Sequence, residues 1–130
     1  MWHLDTNIVV AYLRGDRRVA ERLAAHLPDV AIDTIVLAEL LYGVRLSARE
    51  AENMRHLSAF LSLVEVASFD ESCAEACAQI RARLHKQGRL TSEVDHWIAA
   101  ACLARGATMV TDNVRHFASI EGLEVEDWLA

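Results

Sequence analysis

Met1-Trp2-His3-Leu4-Asp5-Thr6-Asn7 decides the fold: a short, mostly apolar run stops at a carboxylate, and a helical pattern begins directly behind it at residues 8–13. A strand that leads into a helix across an acidic joint is the first half of a β-α unit. The arrangement recurs down the chain. Short apolar runs at residues 30–32, 63–66, 108–110 and, more weakly, 123–125 read as strands. Between them, residues 17–26, 35–46, 49–61, 73–86, 93–105 and 114–118 carry helical spacing. Asp70 and Ser92 stand where helix N-caps belong, and Gly88 and Gly106 follow helices as stops. Strands alternating with helices predict an α/β fold with a parallel sheet of about five strands covered on both faces.

The rest of the chain agrees with one domain over residues 1–130. It has 53% hydrophobic but only 6% aromatic residues, so its core must come from Ala, Leu, Val and Ile. That composition disfavours disorder and an all-β fold. The longest apolar run, residues 97–104, is far short of the ~20 residues of a membrane span. Asp5 also interrupts the place where a signal peptide would carry its apolar stretch, so a cytoplasmic protein with no membrane role is expected. Cys73 and Cys77 share a helical stripe with Ile80 and Leu84, so the three cysteines read as core residues rather than a zinc site or disulfide. A net charge of −6 excludes a broadly basic nucleic-acid surface. The charge is uneven: Arg14, Arg17, Arg18 and Arg22 cluster early, and Glu121, Glu124, Glu126 and Asp127 make the C-terminal end acidic.

In parallel sheets, ligands bind beyond the carboxyl ends of the strands, near the point where strand order reverses. Asp5 follows the first strand, Asp112 follows the fourth with Thr111 between, and Asp95 lies in the first turn of the helix that precedes the fourth. Each has a structural reading. Asp5 fits a helix N-cap, Asp95 closes a capping box begun at Ser92, and Asp112 fits a turn. On a helical wheel, Asp95 falls at the edge of the arc Val94, Trp97, Ile98, Ala101 and Cys102. Glu39 lies roughly 130° from the centre of the arc Val36, Leu37, Leu40, Leu41 and Val44, which reads as a solvated face. Carboxylates brought together repel and raise one another's pKa unless a cation neutralises them. Mg²⁺ or Mn²⁺ suits an all-oxygen donor set, and such a metal activates water for phosphodiester hydrolysis. With arginines such as Arg14 nearby, it would also let an acidic protein accept a polyanion.

Four motifs in order, Asp5-Thr6-Asn7, Ala38-Glu39-Leu40 with Tyr42-Gly43, Asp95-His96-Trp97-Ile98-Ala99-Ala100, and Val110-Thr111-Asp112-Asn113-Val114-Arg115-His116-Phe117, resemble the PIN domain. More narrowly, the chain resembles the VapC toxins of bacterial type II toxin–antitoxin modules, collinearly over essentially its whole length. The resemblance implies a PIN-like three-layer α/β/α sandwich and a Mg²⁺- or Mn²⁺-dependent endoribonuclease. It also implies neutralisation by a cognate VapB-type antitoxin that represses its own operon, with a homodimer, heterotetramer or larger assembly. Carried over by position, Asp5 and Asp95 match the main metal ligands and Glu39 the helix glutamate, while Thr6, Asn7 and Thr111 match supporting polar positions. The fourth acid departs from the family: it often falls at the position of Asn113, whereas here Asp112 precedes it. The expectation is that Asp112 contributes at the periphery and Asn113 hydrogen-bonds within the site. Arg14 and Arg115 are candidate RNA contacts, and Tyr42-Gly43 with Trp128 suggests a structured RNA such as an initiator tRNA anticodon loop. In the family, the helical pair 35–46 and 49–61 helps the dimer and antitoxin surfaces.

The remaining features read more plainly. The six histidines lack metal-site spacing, so His96 and His116 are expected at the rim or in packing. Trp97, Trp128 and Phe60 read as core or interface anchors, with base stacking open to Trp97 only if it is exposed. A phosphoaspartyl hydrolase would need a second Asp where Asn7 stands, and a receiver domain a Lys late in the sheet, whereas Lys86 lies in a helical pattern. The alternative kept open is a catalytically silent PIN-like binding module.

Overall fold

The computed structural model describes residues 1–91 and 93–130. β1 (Trp2–Leu4) leads into α1 (Thr6–Leu13) and α2 (Arg17–His26), and β2 (Val30–Asp33) into α3 (Thr34–Leu46) and α4 (Glu50–Leu61). β3 (Glu65–Ala67) precedes α5 (Glu71–Lys86) and α6 (Glu93–Ala104), and β4 (Thr108–Val110) precedes the short α7 (Val114–Phe117) and β5 (Val125–Glu126). The strands form one sheet in the order β3-β2-β1-β4-β5, with every neighbouring pair parallel. All four residues of β2 are buried, as required when helices cover both faces of a sheet. The result is the three-layer α/β/α sandwich expected from the sequence.

Two strands begin two residues later than their apolar runs suggest. Leu63 belongs to the turn that ends α4, its N–H bonding to the Phe60 carbonyl at 2.9 Å, so the third ladder starts at Glu65. Leu123 likewise closes a turn onto Ile120, and the fifth ladder starts at Val125. Apolar residues that seat a turn against the core are easily read as strand.

Helix ends follow the expected chemistry. Asp5, Asp16, Asp33 and Asp70 each accept backbone N–H bonds as N-caps of α1, α2, α3 and α5. The cap expected of Ser92, and the capping box built on it, fall outside the described residues. Gly88 and Gly106 adopt left-handed backbone at φ +68° and +64°. The N–H groups of Arg89 and Ala107 then reach back to the carbonyls of Leu84 and Cys102, closing both helices in Schellman fashion.

The core matches the expected residue types. Cys73, Cys77 and Cys102 are buried, and burial pushes the Cys102 thiol up to about 12. Phe60 and Trp128 are buried, but Trp97 is not: it is 37% exposed and leaves the arc the wheel assigned to it. From Ile98 to Cys102 every residue of α6 is buried, so that segment is enclosed on all sides rather than packed along one stripe.

The chain runs outward from β1 to β2 and β3, then crosses to place β4 and β5 on the other side of β1. Strand order therefore reverses between β1 and β4, the point where an open α/β sheet forms a crevice. Just past the strand ends, the Asp5 N–H bonds to the Val110 carbonyl at 2.8 Å and the Thr111 N–H to the Glu126 carbonyl at 3.0 Å. Asp5 and Thr111 are thus fixed side by side at the switch.

Candidate active site

Asp5 ends β1 and caps α1, and both of its oxygens are engaged. Oδ1 accepts the Thr6 N–H at 2.8 Å and Oδ2 accepts the Thr111 hydroxyl at 2.8 Å. The fully buried Thr111 passes the bond on, its Oγ1 accepting the Asn113 N–H at 3.1 Å. Thr6 ties a second acid to the same place: its hydroxyl donates to Glu39 Oε1 at 2.5 Å. The capping and site readings of Asp5 are therefore one geometry. Glu39 is exposed, with Val36, Leu40 and Val44 buried across the helix from it, as the wheel placed it. Its exposed face looks toward the first residues of α1 rather than away from the protein's acids.

The electrostatics draw in two more carboxylates. Burial pushes the Asp5 pKa up, the Thr111 hydroxyl and Thr6 N–H work against this, and the charges of Asp95 and Glu39 push it further up. Asp33, at the end of the adjacent strand, is 2% exposed and pushed up to about 6, first by burial and then, against its two cap bonds, by the charges of Asp5 and Glu39. Asp95 is partly exposed on α6, where its Oδ2 lies 3.0 Å from His116 Nε2. Asp5, Asp33, Glu39 and Asp95 thus share one electrostatic neighbourhood at the C-terminal edge of the sheet.

Other expected residues stand differently. Asp112 and Asn7 are exposed, and among the described residues no hydrogen bond or ion pair engages either side chain. Asn113 enters the network through its backbone N–H to Thr111, not through its side-chain amide. Arg14 lies with Thr6 and Glu39 along a groove of about 320 Å³, and Arg115 with His116 along a cavity of about 250 Å³. The sequence reading missed two residues beside the site. Asp33 repeats the Asp-Thr joint of Asp5-Thr6 at the next strand end, a signal that was legible. His116, read as rim or packing, holds Asp95 from 21 residues away, and nothing in local spacing announces that contact.

The donor set fits a hard divalent ion. Asp5, Glu39 and Asp95 offer only oxygen, and Asp5 carries a charge that burial and its neighbours both disfavour, which a cation would offset. Among the described residues no three acids, histidines or thiols stand in a ready ligand cluster. Mg²⁺ keeps several waters and takes one or two carboxylates directly, so an open group of this kind matches it better than a closed cage would.

Comparison with known proteins places the chain in its class. Residues 3–123 match the PIN domain. Over 126 residues the chain is 35% identical to the tRNA(fMet)-specific endonuclease VapC of Shigella flexneri, covering 96% of each chain. It is 37% identical over 131 residues to ribonuclease VapC2 of Rickettsia felis, covering 98% of each. The fold superposes on the DNA-bound VapBC structure from Salmonella typhimurium with a TM-score of 0.94 and 33% identity, covering 98% of this chain and 97% of that one. The chain belongs to the PIN-domain family and, within it, to the VapC ribonucleases. VapC nucleases of this family are generally dependent on a divalent metal.

Proposed function

We propose that residues 1–130 act as a single PIN domain that hydrolyses phosphodiester bonds of structured RNA at the β1/β4 switch, and that a tRNA is the substrate class. The carrying observation is the doubly anchored Asp5, fastened by Thr111 and Thr6 beside Glu39 and Asp95. Asp5, Asp95 and Glu39 would hold the cation, Mg²⁺ or Mn²⁺, which supplies an activated water and offsets charge on the phosphate. Thr111 and Thr6 keep the carboxylates oriented, and His116 fixes one oxygen of Asp95, the other having no partner among the described residues. Asn7, Asp112 and Asn113 line the approach, and Arg14 and Arg115 counter the repulsion an acidic chain of charge −6 presents to a polyanion. The tRNA assignment draws on the relative from Shigella flexneri, named for tRNA(fMet), and on the Tyr42-Gly43 and Trp128 positions.

By the same relationship, the chain acts in the cytoplasm as a toxin neutralised by a VapB-type antitoxin. It would assemble as a homodimer and, with antitoxin, as a heterotetramer or larger complex. VapBC complexes among the structural neighbours, two of them bound to DNA, support this reading. No helix among the described residues is long and apolar enough to cross a membrane.

The test is cleavage of a mixture of tRNA and rRNA by antitoxin-free protein, with Mg²⁺, with EDTA, and with Asp5→Asn. Discrete fragments bearing 5′-phosphate and 3′-hydroxyl ends, formed only by wild-type protein with metal, are expected. Cyclic phosphate ends would replace the activated-water mechanism with attack by the RNA's own 2′-hydroxyl. Cleavage by Asp5→Asn would remove the site, and no cleavage under any metal would favour a silent binding module.

A further inference from the structure

Arg18, Arg22, Arg45, Arg49, Arg83 and Arg105 are each held in an ion pair with a carboxylate. Arg89 and Arg115 are exposed and have no such partner among the described residues, yet they line one cavity of about 250 Å³. Ser119 adds a hydroxyl to that cavity, and Leu84 and Ile120 supply buried apolar wall. His116 joins it to the active site, because the same ring that lines the cavity bonds Asp95 at 3.0 Å. A cationic recess therefore opens directly beside an acidic centre; Arg14, Arg17 and Arg55 are also exposed without an ion pair among the described residues, but none of the three lines this cavity.

We propose that this cavity is a subsite for an RNA phosphate neighbouring the one that is cleaved, with Arg89 and Arg115 as its cationic contacts. The inference rests on the ribonuclease reading and adds a direction to it. A strand whose scissile phosphate lies at Asp5 and Asp95 passes from the groove of Arg14, beside Thr6 and Glu39, to the cavity of Arg115 and Arg89. The guanidinium fork matches phosphate oxygens in a bidentate way that a lysine point charge does not. The Ser119 hydroxyl, which donates to the His116 carbonyl at 3.4 Å, can turn from it to the phosphate, and the apolar wall suits the ribose and base edge that accompany the phosphate.

The test uses 3′-labelled bulk tRNA and full-length Asp5→Asn protein, so that binding is read without cleavage. Affinity is followed by fluorescence anisotropy over a salt series. Replacing both arginines, Arg89→Ala with Arg115→Ala, should lower the slope of log K against log salt by about 1, the mark of a lost phosphate contact. Lysine at both positions should restore the slope but not the full affinity. Arg105→Gln, which removes a paired arginine before β4 at the opposite edge of the sheet, should leave the slope unchanged. An unaltered slope in the double Ala variant, or an equal fall in Arg105→Gln, would overturn the subsite. So would weakened antitoxin binding with RNA binding intact, which would assign the cavity to a protein carboxylate. In the catalytically intact chain, the double Ala variant should raise KM while kcat stays within about twofold, and a fall in kcat alone would also overturn it. If the wild-type chain cleaves no RNA but the slope still falls, the subsite stands and the nuclease reading fails. Cleavage by wild-type protein with an unaltered slope means the reverse.

Discussion

Two neighbouring strands end in the same dipeptide: β1 in Leu4-Asp5-Thr6 and β2 in Ile32-Asp33-Thr34. Both aspartates are buried, both cap the next helix, and burial raises both pKa values. They differ in what lies beside them. Asp33 spends its side chain on α3, accepting the Ile35 and Val36 N–H groups, and the Thr34 hydroxyl accepts the Phe69 N–H at 3.2 Å. That joint locks α3 to the segment before α5. Asp5 gives one oxygen to its helix and the other to Thr111 on β4, and the Thr6 hydroxyl reaches outward to Glu39. The local sequence makes a cap in both places, and strand order makes only one of them a site. β2 has β1 and β3 on its flanks with no reversal between them, whereas β1 borders β4 where the order reverses.

The strongest way to break this contrast is to remove each charge in turn. Asp5→Asn should cut RNA cleavage by at least about 100-fold, beyond what loss of an outer-shell partner costs, while the protein still folds. It should also abolish the rise in Tm that Mg²⁺ gives the wild-type chain, because that rise requires binding to the native state. Asp33→Asn should keep activity within about tenfold. Equal damage from the two substitutions, with both proteins folded, would erase the distinction between site and joint.

The threonines sharpen it. Thr111→Val leaves Asp5 Oδ2 and the Asn113 N–H without their partner, so activity should fall by about 10- to 100-fold and stability by roughly 1–3 kcal/mol. Thr34→Val removes only the acceptor for Phe69, so stability should fall by about 1 kcal/mol with turnover per folded molecule unchanged. Kinetics alongside urea unfolding separates the two. His116→Ala should cost about tenfold by freeing Asp95, and His116→Gln, which keeps a donor at similar reach, should recover most of it. A Gln variant as impaired as Ala would show that the imidazole does more than position Asp95.

These residues also show where the sequence was legible. Asp5 and Asp70 announced themselves because capping is local, and the alternation of strands and helices reflects burial on two faces. Glu39 was read correctly as exposed, but exposure on a wheel says only that a residue faces away from its own helix's core contact. Whether that direction is solvent or another element depends on how α1 and α3 meet. The Asp95–His116 contact and the neighbourhood of Asp33 are tertiary in the same sense. Trp97 was misplaced because a wheel assumes one buried stripe, whereas α6 is enclosed on all sides from Ile98 to Cys102 and leaves Trp97 half outside.

The smallest effects lie in pH dependence, where β1 and β2 oppose each other. Asp33 titrates near 6 in the folded chain against an ordinary 3.8, so the native state binds the extra proton and stability falls as pH rises across that interval. His3, buried at 2% exposure in β1 with neither ring nitrogen partnered among the described residues, behaves the opposite way. Burial, aided by the Arg105 charge, holds it down to about 4 from 6.5, so the unfolded chain binds the extra proton and stability rises with pH over that range. Each contribution is on the order of 3 kcal/mol at most, and their opposite signs nearly cancel in the wild-type chain. Urea unfolding between pH 4 and 6.5 should give a shallow profile for wild type. Asp33→Asn should turn that profile upward with pH, because the His3 slope then meets only the weaker opposition of Asp5, and His3→Leu should turn it downward, because the raised acids Asp33 and Asp5 are then unopposed. If both variants keep the wild-type profile, the two strand interiors do not carry these opposed titrations, and the cause of the raised Asp5 pKa would have to be sought in the acids around it rather than in the dryness of the sheet edge.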